Sequence, residues 1–541
     1  MFDKVLIANR GEIAVRINRA CQELGISTVA VHSEADRESM HVRIADESVC
    51  VGPNPVNKSY LNTHSIISAC EITGAQAVHP GYGFLSENAG FAKTLQDHNL
   101  SFIGPSYKHI EMMGDKIQAK KIMTEYGVPT VPGSEDIVKD ESHAIKISND
   151  IGFPVLLKAS AGGGGRGMKV VHNENELKES LPIIKQEALS FFGSDAVYVE
   201  KFIDSPRHIE VQVICDTHGN YLHLHERDCS IQRRNQKVIE EALAPEIDET
   251  EKNKLFDICV KAMKKMNYVG LGTLEFLYEK GNFYFMEMNT RLQVEHPITE
   301  MLTRIDLVRE QICVAAGDKI FTSQENIKPL GHSIECRINA ENSTDFKPSA
   351  GTIKMYHPPA GNGIRLDTFI YSGYKVPHYY DNLLAKLIVT GRTRNHAIKR
   401  ALRSLNEIVI DGIETNIDIS TKEHHHKVQE SSSGKKAVSR FKIIKKYHSF
   451  THAEIHISTG RMHQIRFQSA NLNHPIVNDK KYGLYSLNKY IAFESSISRL
   501  ALHASTISFK DLNNKTVSFD APKNNEFDIL LSELDNLTIK S

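Results

Sequence analysis

Two glutamates lie symmetrically about one tight turn and could together hold a cation. Residues 272–278 and 283–289 have the pattern of two β-strands joined by a short turn that contains Gly and Asn. With Gly281 as the centre of symmetry, Glu275 falls opposite Glu287. The strand period of two then places both carboxylates on one face with Asn289.

Facing carboxylates of this kind need a positive partner, because two like charges about 5 Å apart across a ladder repel each other. Two carboxylates and one amide oxygen are hard ligands and few in number. They suit Mg²⁺ shared with a phosphate better than a Ca²⁺ cage or a Zn²⁺ site. The alternative is a solvated hairpin whose acids bind nothing.

The next segment adds residues that could act on an anion. Arg291, Gln293 and Glu295 alternate with apolar residues directly after the second strand. They supply an anion holder, an orienting amide and a candidate general base. Pro297 is expected to keep His296 extended, and a structural role is expected for that histidine rather than a role as the base.

A second signal for phosphate is a run of glycines after a lysine. Lys158 ends a strand pattern at 155–158 and is followed by four glycines at 162–165 and a further strand pattern at 168–172. Glycines allow backbone N–H groups to close over phosphate oxygens. The run matches neither the dinucleotide fingerprint nor the Walker loop. A flexible linker is the alternative, but the flanking strands and the lysine favour a nucleotide lid.

The surrounding elements indicate an α/β protein. A strand at 4–8, a helical pattern at 13–24 and a strand at 28–32 form a βαβ unit that opens a domain reaching about residue 113. A helix is predicted at 116–126, and a hairpin is predicted from 209–215 and 221–226.

The composition is that of a soluble multidomain protein. The chain has 541 residues, with 40% hydrophobic and 24% charged residues, and its length suits three or four domains. It shows neither a membrane-spanning apolar run nor a signal-peptide pattern. The eight cysteines, all before residue 337, lack zinc or CxxC spacing, so reduced thiols and a cytoplasmic location are expected.

The charge balance changes near residue 420. From 421 to 541 there are 18 Lys and Arg against 11 Asp and Glu, whereas residues 1–420 have 47 against 55. The last 120 or so residues therefore differ in character from the rest.

Residues 1 to about 420 resemble biotin carboxylase, an ATP-grasp enzyme. The resemblance is carried by ordered blocks at 7–14, 79–88, 113–116, 158–168, 226–230, 287–291 and 294–297. It implies a three-part architecture, with a Rossmann-like N-terminal α/β domain at 1–114 and an ATP-grasp domain with a glycine-rich lid at 115–312. A mixed C-terminal domain at 331–420 would be truncated, because the resemblance stops beyond Asn416.

The resemblance also implies the roles of individual residues. Glu275, Glu287 and Asn289 would hold Mg²⁺ or Mn²⁺, and Glu295 would take the proton of bicarbonate. Bicarbonate would be bound by Arg291, Gln293, the Val294 N–H and Lys237. The ATP phosphates would be held by Lys116, Lys158 and the lid residues Gly163, Gly164 and Gly165. The adenine would lie against Glu200, Lys201, Ile203 and Leu277, and the ribose near His208, Gln232 and Asn235. Arg337 would stabilise the biotin enolate, with Tyr82 and Asp381 lining that pocket.

The activity implied is carboxylation of biotin on a separate biotin carboxyl carrier protein, with ATP and bicarbonate as substrates. The chain would be the biotin carboxylase component of an acetyl-CoA or related acyl-CoA carboxylase. Carboxyltransferase subunits would be partners, and a homodimer is implied. One departure is Asn235, which lies where the family usually has histidine; an amide can still donate to a hydroxyl.

Two further signals are given structural interpretations. The string at 262–266, Ala-Met-Lys-Lys-Met, is similar to the biotinylation motif of carrier domains. It falls within a helical pattern, so a helix surface is predicted and biotin must come on another protein. Cys229 could be a nucleophile, but biotin carboxylation needs no thiol.

The tail resembles the C-terminal half of an RluA-type RNA pseudouridine synthase. The matching blocks are 434–438, 459–466, 474–479, 482–483 and 499–504. A linker at 421–434 would precede a partial α+β segment at 435–541. Arg461 and Arg466 would face RNA, in agreement with the basic balance of the tail.

The tail lacks the half that carries the family's catalytic aspartate. The nearest string, around Asp367, has one residue too many and fits the biotin carboxylase pattern instead. The tail is therefore expected to be inert as a synthase, with a partial core and open sheet edges. The alternatives are an RNA-binding or uridine-isomerising protein acting through the tail, and a fusion or joining error that impairs both halves.

Overall fold

The chain forms two compact units, Met1–Thr421 and Lys422–Ser541, in the computed structural model. The structure describes residues 1–134, 136–159, 167–343, 345–417, 437–447, 450–459, 463–472, 474–479, 481–484, 488, 491, 499–510, 514–522 and 525–533. Within this part of the chain no helix is both long and apolar enough to cross a membrane.

The first unit opens with a parallel sheet in the order β3-β2-β1-β4-β5. Its central strands β1, β2 and β4 are buried almost throughout, as in sheets that helices cover on both faces. The predicted βαβ unit is confirmed. The elements are β1 (Lys4–Ile7), α1 (Gly11–Glu23), β2 (Ser27–Ser33), α2 (Met40–Ile44), β3 (Glu47–Gly52), α3 (Thr63–Thr73), β4 (Ala77–His79), α4 (Ala89–Asp97), β5 (Ser101–Phe102) and α5 (Tyr107–Gly114).

A small antiparallel sheet in the order β7-β6-β8 follows. Its elements are α6 (Lys116–Glu125), α7 (Glu141–Ile151), β6 (Val155–Ala159), β7 (Met168–Val171), α8 (Glu174–Phe192) and β8 (Val197–Lys201). The strands predicted on either side of the glycine run are confirmed. The run itself, including Gly163, Gly164 and Gly165, lies outside the described residues.

The largest sheet has eight strands in the order β13-β12-β9-β10-β11-β14-β19-β17. It joins the middle of the unit to its C-terminal part, so polar residues distant in sequence share one surface. The elements are β9 (Arg207–Cys215), β10 (Tyr221–Arg233), β11 (Gln236–Ala242), α9 (Glu249–Met266), β12 (Gly270–Glu279), β13 (Asn282–Asn289), α10 (His296–Thr303), α11 (Leu307–Ala315), β14 (His332–Asn339), β15 (Gly351–Thr352), β16 (Met355–His357), β17 (Ile364–Thr368), β18 (Lys375–Val376), β19 (Leu383–Gly391), α12 (Arg394–Glu407) and β20 (Val409–Asp411). Two short pairs, β15 with β18 and β16 with β20, complete it.

The β12–β13 hairpin has the predicted pairing, with Glu275 opposite Glu287. Its turn is tighter than expected: Lys280 and Gly281 both have positive φ, at 48° and 83°, as in the two-residue turns that match strand twist. The ladder shifts by one residue beyond Phe276. This bulge at Met286 restores the facing of the two glutamates.

Two predictions on local structure had opposite outcomes. The expectation that His296 is extended is wrong, because His296 is the first residue of α10 and Pro297 the second. Proline is tolerated there because its missing N–H has no partner in the helix. The prediction that Lys264 lies on a helix surface is confirmed, since it is exposed on α9.

The described residues of the second unit form two separate hairpins and two helices. They are β21 (Ser439–Lys446), β22 (Thr451–Ile457), α13 (Gln464–Asn471), β23 (Thr506–Lys510), β24 (Thr516–Asp520) and α14 (Asn525–Glu533). Phe450, Ile491 and Leu530 form its small core. Phe509 and Phe519 stay 50% and 57% exposed. As expected for a partial sheet, neither hairpin has a third strand among the described residues.

Candidate active site

A row of charged residues crosses four neighbouring strands of the eight-stranded sheet. Glu287 on β13 lies opposite Glu275 on β12, and Glu275 lies opposite Glu210 on β9. Glu210 in turn lies opposite Arg227 on β10. Strand alternation turns these side chains to one face while apolar neighbours such as Val211 pack into the core on the other.

The carboxylates of this row are balanced by cations and amides. Glu275 lies 2.9 Å from His208 Nε2 and 3.2 Å from Lys237 Nζ, and it accepts bonds from the amides of Asn289 (2.9 Å) and Gln293 (2.7 Å). Burial would raise the pKa of Glu275, but Lys237 and His208 outweigh it and lower the pKa. Glu275 is therefore ionised at neutral pH.

The predicted metal ligands fit a hard divalent cation. Glu287, the outer member of the pair, is about one-third exposed, and its carboxylate lies 3.1 Å from the ammonium of Lys116. Asn289 is on the same face, as predicted, and its amide oxygen accepts from Arg291 at 2.7 Å. Two carboxylates and an amide oxygen at the edge of the row are the donor set that Mg²⁺ or Mn²⁺ prefers.

Glu295, the predicted base, lies between two cations. Lys237 Nζ is 2.6 Å from one of its oxygens and Arg337 Nη2 is 3.0 Å from the other. Burial alone would raise the pKa of Glu295, but Lys237, Arg337 and Arg227 together hold it well below its ordinary value. The side chain is only 2% exposed, so an ionised acceptor is held away from bulk water.

The other residues predicted to bind an anion surround this base. Arg291 donates to Glu87 at 2.8 Å and to Asn289. Gln293 bridges the site, because its amide nitrogen donates to Glu275 and its oxygen accepts from Arg227. The carbonyl of Val294 accepts from Lys386 at 3.0 Å.

The residues predicted for the phosphates and adenine form a second group. Lys158 and Lys120 both bind the carboxylate of Glu200, Lys158 at 3.3 Å. Lys201 directs its ammonium to the carbonyl of Gly152 at 2.7 Å. Ile203 is 8% exposed. On β12, Leu277 is the register partner of His208.

Two of the three residues predicted for the ribose contact each other, and the third lies in the turn that follows β10. Gln232 lies 3.1 Å from His208 Nδ1 and also donates to the carbonyl of Cys229. Asn235, three residues after Gln232 in the chain, has a φ of 63° in the β10–β11 turn. Asparagine tolerates this left-handed conformation better than most residues, which gives a backbone reason for its presence here.

The residues predicted to bind biotin lie on three separate segments of the chain. Tyr82 donates to the buried Glu12, while Arg337 donates to Glu240 (2.6 Å) and Glu295. Asp381 lines a cavity of about 350 Å³ together with Arg233, Arg234, Gln236, Glu341, Phe346, Pro348, Tyr380 and Asn382. Neither Tyr82 nor Arg337 is among the described residues that line this cavity.

The residues considered for the activity of the tail do not lie together. Asp367 lies in β17 of the first unit and is paired in two hydrogen bonds with Arg365, as expected for a structural carboxylate. Arg466 is paired with Asp479 by two bonds of 2.8 Å. Arg461 lies outside the described residues.

Sequence reasoning missed four charged residues of this region. Arg227 and Glu210 are fully buried and pair at 2.8 Å, and Glu240 and Glu335 lie behind Arg337. The alternation of His208, Glu210 and Gln212 with apolar residues was the available signal for Glu210. The other three depend on which strands become neighbours, and local patterning does not specify that.

Three family models match the chain. The biotin carboxylase N-terminal domain matches residues 1–110, and the carbamoyl-phosphate synthase L chain ATP-binding domain matches 115–322. The biotin carboxylase C-terminal domain matches 335–435.

Curated relatives cover the same part of the chain. Biotin carboxylase of Pseudomonas aeruginosa is 54% identical over 420 residues, which are 77% of this chain and 94% of that protein. Biotin carboxylase of Haemophilus influenzae is 55% identical with the same coverage. The chloroplastic biotin carboxylase of Arabidopsis thaliana is 51% identical over 77% of this chain and 78% of its own.

Solved structures agree with this similarity. The biotin carboxylase domain dimer of Hydrogenobacter thermophilus 2-oxoglutarate carboxylase, solved with MgADP, ADP and bicarbonate, is 49% identical. It has a TM-score of 0.75 over 78% of this chain and 93% of that one. Biotin carboxylase of Campylobacter jejuni, solved as a β-γ-ATP complex, is 48% identical. Its TM-score is 0.75 over 78% of this chain and 94% of that one.

Proposed function

This chain belongs to the biotin carboxylase family and catalyses the ATP-dependent carboxylation of biotin, and we propose that the Glu287–Glu275 row and the Lys237–Glu295–Arg337 cluster perform it. Its cofactors and substrates are ATP, Mg²⁺ or Mn²⁺, bicarbonate and biotin. The observation that carries the assignment of roles is the contact of Lys237 with Glu275 on one side and Glu295 on the other. One ammonium thus joins the metal ligands to the base.

The row supplies the phosphoryl-transfer half of the reaction. Glu275, Glu287 and Asn289 would hold the divalent cation, which would supply positive charge against the ATP phosphates. Lys116 and Lys158 pair with Glu287 and Glu200 here, so they are positioned to exchange these carboxylates for phosphate oxygens. The lid glycines and the adenine and ribose residues named above complete the nucleotide site.

The cluster supplies the bicarbonate half. Arg291, Gln293, Lys237 and the Val294 N–H bind bicarbonate, and Glu295 accepts its proton so that the oxyanion can attack the terminal phosphoryl group. The lowered pKa of Glu295 keeps this acceptor ionised. This attack releases ADP and forms carboxyphosphate, which yields CO₂ and phosphate. Phosphate takes the N1 proton of biotin, and N1 of the resulting enolate forms the new bond to CO₂. Arg337 stabilises the enolate. Tyr82 and Asp381 are assigned to the biotin pocket, although Asp381 here lines a cavity that Arg337 does not line.

Partners follow from the chemistry and the family. Biotin reaches the site on a separate carrier protein, and carboxyltransferase subunits of an acetyl-CoA or related acyl-CoA carboxylase use the product. A homodimer is proposed by analogy with the dimeric relative. A cytoplasmic location stays a prediction from composition.

For the tail we infer descent from the C-terminal half of an RNA pseudouridine synthase, without synthase activity. What supports this are the motifs at 459–466 and 474–479, together with two hairpins that pair with no third strand among the described residues. Weak RNA binding through its basic residues is the remaining activity proposed for it.

The test is ADP release by the full-length chain with Mg²⁺ and ATP. Release is expected to require bicarbonate and to rise with free biotin. Glu295→Gln is expected to abolish the bicarbonate-dependent part, while Glu71→Gln, at an exposed position on α3, serves as the matched control. Equal ADP release with and without bicarbonate would contradict the proposal.

A further inference from the structure

Two buried glutamates face each other directly behind Arg337. Glu240 on β11 and Glu335 on β14 are register partners in the antiparallel ladder, and both side chains are completely buried. Opposite residues in such a ladder have Cβ atoms roughly 5 Å apart. Their carboxyl groups can therefore meet.

The hydrogen bonds of this pair are incomplete for two ionised carboxylates. One oxygen of Glu240 accepts from Arg337 Nε at 2.6 Å. The other oxygen of Glu240 and both oxygens of Glu335 have no hydrogen-bond partner in the part of the chain that the structure describes. An ionised carboxylate buried without partners is strongly disfavoured, whereas a protonated one can donate to the free oxygen of its neighbour.

The surrounding cations do not neutralise Glu335. Lys386, on the neighbouring strand, is bound by Glu12 and by the carbonyl of Val294, both at 3.0 Å. Lys237 is bound by Glu210, Glu275 and Glu295. Arg337 already pairs with Glu240 and Glu295. Tyr82 and Cys229 are further titratable groups near the pair, and both have a raised pKa that keeps them neutral. Cys336 is turned to the opposite, apolar face of the sheet.

Electrostatics agree with the geometry. Burial, with the neighbouring carboxylates, outweighs Arg337 and raises the pKa of Glu240 to about 7. Burial and Glu240 likewise raise the pKa of Glu335 well above its ordinary value, against Lys386 and Arg337. Two interacting acids of this kind release their protons in steps that belong to the pair.

We propose that Glu240 and Glu335 share one proton, and that this shared proton leaves the charge of Arg337 available to the enolate of biotin. Glu335 is then a positioning residue that acts through Glu240, and the inference rests on the proposed role of Arg337. With one proton the pair carries a single negative charge beside the guanidinium. Loss of that proton places a second negative charge behind Arg337 and opposes the developing anion.

The shared proton is tested by infrared spectroscopy on the full-length protein. A buried carboxylic acid has a carbonyl stretch distinct from that of a carboxylate. The difference spectrum between wild type and Glu335→Gln is expected to show this band, and Glu71→Gln is expected to leave it in place. Should Glu335→Gln fail to fold, Glu335→Asp keeps the acid on a shorter side chain and is expected to shift the band. Absence of an acid band that depends on Glu335 overturns the proposal.

The effect on Arg337 is tested by the pH dependence of two rates, ATP cleavage without biotin and its stimulation by free biotin. The ratio of stimulated to unstimulated rate is expected to fall roughly tenfold as the acid band disappears with rising pH. In Glu335→Gln the neutral amide replaces the acid, so the ratio is expected to stay constant over the same range.

The outcomes separate this inference from the proposed function. Two results would overturn the link to Arg337 even if the acid band is present. One is a wild-type ratio of stimulated to unstimulated rate that does not change with pH. The other is a fall of this ratio in Glu335→Gln equal to that in the wild type. Complete lack of biotin stimulation at every pH contradicts the proposed function and removes the role of the pair, while the infrared band still decides whether the proton is shared.

Discussion

Glu275 contacts groups from four segments and so couples the two halves of the site. Its carboxylate meets His208 on β9, Lys237 on β11, Asn289 on β13 and Gln293 beyond that strand. A change at Glu275 would therefore disturb the bicarbonate site as well as the metal. Glu287 contacts only Lys116 among the described ion pairs, and it reports on the metal more cleanly.

Replacement of Glu287 by Gln tests the metal site at this scale. Loss of one carboxylate ligand is expected to remove several kcal/mol of transition-state stabilisation, which corresponds to roughly a hundredfold or more in rate. Bicarbonate-dependent ADP release, measured over a series of Mg²⁺ concentrations, gives the result. Glu71→Gln is the control, and an unchanged rate and Mg²⁺ requirement in Glu287→Gln would count against the site.

Glu300 illustrates a purely structural use of the same chemistry. Its buried carboxylate accepts from Arg16 at 2.9 Å and from Arg365 at 2.7 Å. Removing one member of a buried ion pair costs about 3–5 kcal/mol. Glu300→Gln is expected to lose about this much stability, whereas Glu38→Gln, from an exposed pair with Arg43, should lose less than about 1 kcal/mol.

The pH dependence of this contribution has a definite sign. Burial would raise the pKa of Glu300, but Arg16 and Arg365 outweigh it and lower the pKa below the ordinary 4.5. The contribution is therefore present above pH 4.5 and is lost as pH falls toward the folded-state value. The thermal unfolding transition of the carboxylase unit is the one whose temperature Mg–ATP raises. Calorimetry of this transition should show that stability falls less on acidification in Glu300→Gln than in the wild type. An equal loss in both would contradict this.

At the scale of elements, the hairpin β12–β13 decides whether the metal ligands face each other. The tight turn at Lys280 and Gly281 would pair Glu275 with Met286, and the bulge corrects this by one residue. The symmetric placement of Glu275 and Glu287 about Gly281 was sufficient to predict the facing. It did not reveal the bulge, because the sequence around Met286 alternates like any regular strand.

Gly281→Ala tests the turn. At a φ of 83°, an added Cβ would lie 3.1 Å from an oxygen of Glu251, and the strained backbone costs on the order of 1–3 kcal/mol. Thermal unfolding should show this loss. Gly114→Ala, at a helix end with no heavy atom within 4 Å of its added Cβ, is expected to lose nothing. Equal stability of both variants would argue against strain in the turn.

The limits of sequence reasoning are visible in the same sheet. Strand alternation places Glu275, Glu287 and Asn289 without knowledge of the sheet, since all three belong to one hairpin. Glu240 and Glu335 are 95 positions apart in the chain, and their contact depends on β11 pairing with β14. The prediction for His296 was wrong because it considered only the conformational restriction that proline places on the preceding residue. It did not include the carbonyl of Gln293, which accepts from the histidine ring at 2.7 Å.

At the scale of the whole molecule, the carboxylase residues all belong to the first compact unit. Met1–Thr421 contains every described residue assigned to ATP, metal, bicarbonate or biotin. The second unit has only a small core. Catalysis is thus expected to be independent of the tail.

A chain ending at Thr421 tests this independence. Its bicarbonate-dependent ADP release is expected to stay within about twofold of the full-length value. Changes remote from a site usually alter the free energy by no more than about 0.5 kcal/mol, which corresponds to about this factor. The thermal transition raised by Mg–ATP is also expected to persist. Loss of activity in a folded truncated chain would show that the tail completes the carboxylase unit.

The most direct measurement is an anomalous difference map from crystals grown with Mn²⁺ and a non-hydrolysable ATP analogue. The account predicts a peak between the carboxylates of Glu275 and Glu287, next to the terminal phosphate. A metal peak elsewhere, with both carboxylates still in contact with Lys237, His208 and Lys116, would contradict it.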